Sequence, residues 1–171
     1  MKKTFLFVAA IFLATGLFAQ EKFTVPEVTI EQKYRNLLGQ YDAILSAGIN
    51  YAKKQGLTAT EYGTLIGEQF RYGWDKDAGF DGFVGGVLVI MSVFLPEPEI
   101  EITTNTADKV EYKTRLFGMA IKKDWQLFEV TFEEYMNCLM AILNTIGEYV
   151  GAESVINYDE EWMYFTASKK L

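Results

Sequence analysis

The stretch GFDGFVGGVLVIMSVFLPEP, residues 79–98, constrains this chain more than any other. Its centre, Phe83 to Leu95, is the longest apolar run beyond the N-terminal leader, broken only by Gly85, Gly86 and Ser92. A helix that spans a bilayer needs about 20 apolar residues, so this run is too short. It predicts a helix buried nearly all round and stopped by Pro96 and Pro98. The rest of the chain must then supply amphipathic elements to cover it.

The chain opens MKKTFLFVAAIFLATGLFAQ. Lys2 and Lys3 form a basic start, Phe5 to Phe18 an apolar core, and Ala19 a small residue ahead of Gln20. This is the layout of a secretory signal peptide cut between Ala19 and Gln20. The expected organisation is therefore a signal peptide over 1–19, a tether over 20–26 and one globular domain over 27–171, placed outside the cytoplasm (periplasmic or secreted). The membrane would be met only through the leader before cleavage. Loss of Lys2 and Lys3 leaves 14 of 16 basic side chains against 23 acidic ones, a net charge of −9. Such a domain repels nucleic-acid phosphates, so no nucleic-acid partner is expected. Cys138 is the only cysteine, and no internal disulfide can form. The fold must stand on its apolar core.

From Pro26, a candidate first helical residue, Ile30, Tyr34, Leu37, Leu38, Tyr41, Ile44, Leu45, Gly48 and Ala52 recur at helical spacing up to the stop at Gly56. Thr58 and Glu61 then form a capping-box pattern. Tyr62, Leu65, Ile66, Phe70 and Trp74 make one face of a second helix, along which Glu68, Arg71 and Asp75 are spaced to pair. Gly63 and Gly67 predict either a close approach by another backbone, such as that around Gly48, or tolerated small residues. The acidic turn DKDAGFDG lacks the ligand spacing of a calcium loop, and Asp81 is expected to cap the buried helix.

Two alternating runs, Glu99 to Asn105 and Lys109 to Phe117, predict a β-hairpin with one wet face. Residues 118–130 fit either a third short strand or an irregular connection. Thr131 and Glu134 repeat the capping box before a helix that ends at Gly151. Ser154–Tyr158 and Trp162–Ser168 predict a second hairpin. The fold class that follows is α+β: N-terminal helices and two helix-plus-hairpin units, forming one antiparallel sheet covered by helices.

The chemistry open to the chain is narrowed by its lack of histidine. Ser–His–Asp and Cys–His catalysis, His-bearing zinc sites and axial haem histidines are all excluded. No phosphate loop is present, no catalytic residue stands out, and neither a metal nor another cofactor is expected. The positive signal is aromatic and methionine content. Phe80, Phe83, Tyr135, Met136, Trp162 and Tyr164 fall on elements predicted to face one another, and are the expected lining of a pocket for an apolar ligand. A plain large core explains the same residues.

The order of helices, hairpin (Glu99 to Phe117), helix (Thr131 to Val150) and hairpin (Ser154 to Ser168) resembles the ligand-binding fold of nitric-oxide-sensing haem domains and of a subunit family of Golgi-transport tethers. The likeness is architectural, covers most of the mature chain and carries no signature motif. It implies an acyl chain or a haem held between helices and sheet. The haem-ligating histidine has no counterpart here, so the resemblance extends only to a small apolar ligand. The expected function is non-catalytic binding of such a ligand or of a partner protein. Two alternatives stand beside it: a hydrolase using two of Glu68, Asp75, Glu97, Glu133 and Glu161, and a self-associating assembly protein.

Overall fold

Two hairpins joined through their second strands make the backbone of the domain. The computed structural model describes residues 27–94, 100–115 and 126–170. The leader, the cleavage point, Pro96, Pro98, Glu97, and the expected ends of the first hairpin at Glu99 and at Leu116–Phe117 lie outside the described residues. Residues 31–171 form one compact unit; of the other, residues 1–30, only 27–30 are described.

Strands β1 (Ile100–Asn105) and β2 (Lys109–Arg115) form the first hairpin, and β5 (Ala152–Tyr158) and β6 (Trp162–Lys169) the second. The four strands make one antiparallel sheet in the order β1-β2-β6-β5. Alternation decides its two faces. Val110, Tyr112, Ile156, Met163, Phe165 and Ala167 are buried beneath the helices. Lys113, Trp162, Tyr164 and Val155 point to the other face, which is at least partly in solvent. The chain is an α+β protein. Between the halves, β3 (Gln126–Leu127) and β4 (Val130–Thr131) form a separate two-stranded ribbon, so the readable end of residues 118–130 is strand. Its two-residue turn places Phe128 (φ 52°) and Glu129 (φ 64°) in the left-handed region, where glycine or asparagine normally sits.

The helices are α1 (Ile30–Lys54), α2 (Ala59–Phe70), α3 (Gly79–Phe94) and α4 (Phe132–Val150). Both capping boxes form. Thr58 accepts from the Glu61 N–H while the Glu61 carboxylate accepts from the Thr58 N–H, and Thr131 and Glu134 do the same. Helix α4 ends on Gly151 at φ 80°, the left-handed turn that glycine adopts without penalty. Helix α2 ends at Phe70, earlier than its apolar face predicts, and the chain passes through single 3-10 turns at Arg71–Gly73 and Lys76–Ala78. Asp75 caps the second of these by accepting from the Asp77 N–H at 3.0 Å. Asp81 lies inside the first turn of α3 and does not cap it.

Three expectations about packing are corrected. Helix α3 is not buried all round. Phe80, Phe83, Val84, Val87 and Met91 face inward, whereas Val89 and Val93 are exposed, because the sheet and α4 cover only one side of it. Helix α1 buries only part of the face its apolar residues outline, Leu45 and Ala52, and is rotated so that Asp42, Ser46 and Ile49 share the inner side. Asp42, Leu45, Ser46, Ile49 and Ala52 are buried, while Leu37 (65%), Ile44 (74%) and Tyr51 (67%) are exposed. Polar anchors account for this orientation. The Tyr135 hydroxyl donates to Asp42 at 2.6 Å, Tyr34 donates to the Val93 carbonyl at 2.8 Å, and Lys53 pairs with Glu134 at 2.6 Å. Finally, the Gly63–Gly67 face of α2 meets α4 and not the Gly48 region. A methyl at Gly63 would run into the Cys138 carbonyl and lie 2.9 Å from the Ala141 Cβ; one at Gly67 would lie 2.7 Å from the Thr145 Cβ. Gly48 instead receives the ring of Tyr62.

Candidate functional site

The core that these elements enclose is not filled. A cavity of about 120 Å³ lies between the helices and the sheet. Helix α4 supplies most of one wall through Met136, Leu139, Ile142, Leu143 and Ile146, one residue per turn or half-turn along its inner stripe. Helix α3 adds Ile90 and Met91, and the sheet adds Ile156 and Met163. Tyr41 of α1, Phe70 at the end of α2, and Trp74 between the two 3-10 turns complete the lining. Phe70 is 57% exposed and Tyr41 38%, so the cavity meets solvent on the side where α1 and the end of α2 come closest to it.

All twelve lining side chains are aliphatic, aromatic or methionine. An apolar void of about 150 Å³ stays dry and takes up benzene or xenon. The present cavity is slightly smaller than that and has the same chemistry. Three methionines, Met91, Met136 and Met163, line it. Their unbranched side chains let a wall adapt to a guest's outline.

The six expected lining residues are dispersed. Met136 lines the cavity. Phe83 is fully buried in the core, in a run of rings from Trp74 (5.8 Å) through Phe83 to Phe165 (6.4 Å) and Tyr112 (4.9 Å). Phe80 is buried on the inner side of α3. Tyr135 points from α4 to Asp42, and burial, with the Asp42 carboxylate beside it, pushes its hydroxyl well above the usual tyrosine range. Trp162 and Tyr164 lie on the opposite face of the sheet. There Lys113 and Arg115 stack on the Trp162 ring at 5.0 and 4.3 Å, and the Tyr164 hydroxyl donates to Asp159 at 2.7 Å. Ile90 and Met91 lie in the continuous apolar run of α3, where periodicity singles out no residue, and Tyr41 stands on the periodic apolar face of α1 without being marked as pocket lining. Phe70 and Trp74 were visible as the apolar face of α2, but nothing local marks that face as the side of an opening.

The ionisable groups do not gather into a second site. Among the described residues no three of His, Cys, Asp and Glu converge as metal ligands. Asp75 caps a 3-10 turn and Glu161 pairs with Arg115. The Glu68–Arg71–Asp75 ladder expected along α2 does not form as ion pairs, because the helix ends at Phe70 and Arg71 turns onto Tyr72 and Tyr149. Burial pushes the Cys138 thiol up to about 12, far from the thiolate a nucleophile needs. No described helix is long and apolar enough to cross a membrane. No protein-family model matches the chain, and no curated protein matches it.

Proposed function

We propose that this is an exported, non-catalytic protein that binds a small apolar ligand between its helices and its sheet. The observation that carries the proposal is the cavity, walled by twelve aliphatic, aromatic and methionine side chains and open to solvent beside Phe70. Large voids in a well-packed interior are costly, at roughly 24 cal/mol per Å³. A guest that fills the space recovers the lost contacts.

Benzene is a suitable first probe. At ten times its dissociation constant a guest stabilises the fold by about 1.4 kcal/mol, which raises the melting temperature of a domain this size by about 3–5 °C. The expected result is such a shift in the wild-type protein and none in Ile90→Trp, whose indole occupies the void. No shift, or an equal shift in both proteins, would refute the cavity reading. Native mass spectrometry of the protein recovered from the exported fraction then identifies the natural guest by the mass lost on denaturation. The same spectrum tests the processing step, since the chain should begin at Gln20.

A second reading, self-association, is favoured by one observation: Leu37, Ile44 and Tyr51 are exposed at seven-residue intervals along α1, the spacing of a coiled-coil seam. Sedimentation equilibrium separates a monomer from a dimer directly.

A further inference from the structure

We infer that the free edge of strand β5 is a docking site for an extended, basic segment of a partner protein, which adds to the sheet as a further strand. This stands apart from the cavity reading, because it rests on backbone groups and on a second groove.

The order β1-β2-β6-β5 leaves β5 paired on one side only among the described strands. The register decides which of its backbone groups are left over. The Asp159 N–H donates to the Trp162 carbonyl at 3.0 Å and the Lys170 N–H to the Gly151 carbonyl at 2.9 Å. Between these two points the pairing runs without a shift. Bonded and non-bonded pairs alternate along an antiparallel ladder, so Glu153, Val155 and Asn157 direct their N–H and C=O groups to β6. Those of Ser154 and Ile156 point the other way, toward the edge. An extended peptide is the ligand whose own donors and acceptors repeat at that spacing.

The edge opens onto a groove of about 210 Å³, lined by Ser154, Val155 and Ile156 of β5, Asn137 and Asn144 of α4, and Thr60 of α2. Successive strand side chains point to opposite faces, so three consecutive residues line one groove together where it meets the backbone edge itself. At the start of β5 the edge is closed by α4, since a methyl on Gly147 would lie 3.1 Å from the Ala152 carbonyl oxygen. From Ser154 to Tyr158 about 13 Å of strand remains, room for a segment of about five residues. The helix side of the groove offers amides to such a segment. Asn144 accepts from the Ser154 hydroxyl at 2.6 Å through its oxygen, which leaves its N–H groups, and the Asn137 side chain makes no hydrogen bond among the described residues.

Charge selects the segment. Residues 152–161, which are β5 and the turn after it, hold Glu153, Asp159, Glu160 and Glu161 and no lysine or arginine. Asp159 accepts from the Trp162 N–H and Glu161 pairs with Arg115, whereas Glu153 is exposed beside Ser154. A lysine or arginine directly across from Glu153 on an added strand makes a favourable cross-strand pair. A second copy of β5 would instead bring the same carboxylates to the edge, and a chain with seven more acidic than basic side chains repels itself.

Amide exchange followed by NMR tests this, with a short peptide of alternating lysine and valine, acetylated and amidated, as the probe. In the peptide-free protein the Ser154 and Ile156 amides should exchange faster than those of Val155 and Asn157. At roughly nine-tenths saturation the peptide should slow the first pair by about 10-fold and leave the second pair unchanged. The counterpart with glutamate in place of lysine should bind about 10-fold more weakly. Thr60→Trp, at an exposed position, puts an indole in the groove and should abolish the protection, with a melting temperature equal to wild type showing the fold intact. Val155 and Asn157 are internal controls, so the exchange result does not depend on that variant. Ser154 and Ile156 amides already slow without peptide would overturn the inference by showing the edge covered, by a second copy if the protection rises with protein concentration. Failure of the peptide to protect them, equal binding of the glutamate peptide, or protection that survives Thr60→Trp would overturn it as well.

Discussion

The close approach of α2 to α4 makes a prediction whose sign is opposite to that of helix propensity. Gly→Ala in an unhindered helix interior stabilises by about 1 kcal/mol. Gly39 in α1 and Gly85 in α3 are such positions, since an added methyl meets nothing within 4 Å at either. At Gly63 the same methyl meets the Cys138 carbonyl and lies 3.0 Å from the carbonyl carbon. That oxygen belongs to the hydrogen-bonded backbone of α4 and cannot swing aside as a side chain would. The two helices must move apart instead, which costs about 1–3 kcal/mol. Set against the propensity gain, Gly63→Ala should be destabilising by up to about 2 kcal/mol. Gly67→Ala should behave likewise, with the Thr145 Cβ at 2.7 Å and the Ile142 carbonyl oxygen at 2.9 Å. For a domain this size, 1 kcal/mol corresponds to about 2–4 °C. Thermal melts followed by circular dichroism should therefore show Gly39→Ala and Gly85→Ala above wild type and the other two below it. Urea midpoints should move in the same directions with unchanged m-values. If Gly63→Ala gains stability as Gly39→Ala does, the tight α2–α4 contact is wrong.

Two further outcomes follow from strain and from burial. Phe128 and Glu129 both occupy left-handed backbone, so replacing the pair by Asn-Gly, the sequence that turn prefers, should stabilise by about 1–2 kcal/mol; an unchanged or lower urea midpoint would contradict the turn. Stability should be flat from about pH 6 to about pH 9 and fall as the pH rises toward 12. The Cys138 thiol, with a usual value of 9.0, stays protonated in the folded state up to about 12, so above pH 9 the unfolded chain loses a proton that the native one keeps. Burial raises Tyr112 and Tyr135 in the same direction from 10.0. Cys138→Ala should thus delay the onset by about one pH unit, and a melting temperature that held constant to pH 11 would show these groups to be less buried than described.

What the sequence reveals of this protein is whatever is settled within one turn or one hairpin. Thr58–Glu61 and Thr131–Glu134 mark helix starts because the bonds they make are three residues long. The hairpins declare themselves by alternation around short turns, and the α+β class follows from the order of elements. Which face of a helix goes inward is a different kind of question. In α1 Leu37, Ile44 and Tyr51 satisfy the period as well as Leu45, Ile49 and Ala52 do, and the choice between them depends on Tyr135, far along the chain. The cavity is less legible still. Its lining comes from four helices, a 3-10 connection and two strands, and Met136 alone among the six expected residues reaches it. Tyr135 is its neighbour in sequence and points elsewhere, because adjacent positions on a helix differ by 100°. Trp162 and Tyr164 are displaced by the parity of a strand: Met163, between them, faces the cavity.

The anchoring of α1 separates what stabilises a helix from what sets its rotation. Its two apolar stripes are close to interchangeable as greasy surface, so hydrophobic burial does little to choose between them. The polar anchors are not interchangeable. Tyr34 meets α3, Asp42 meets Tyr135 of α4, and Lys53 meets both Glu134 of α4 and the Glu129 carbonyl in the β3–β4 turn, and all three engage only at a single phase of the helix about its axis. They act as a key cut along some 30 Å of rod, at 1.5 Å per residue. Turning the helix to hide Leu37, Ile44 and Tyr51 would withdraw all three at once and leave Tyr135 buried against the wrong surface. The outward display of that stripe, and the setting of Tyr41 beside the cavity, are thus two readouts of one rotational choice.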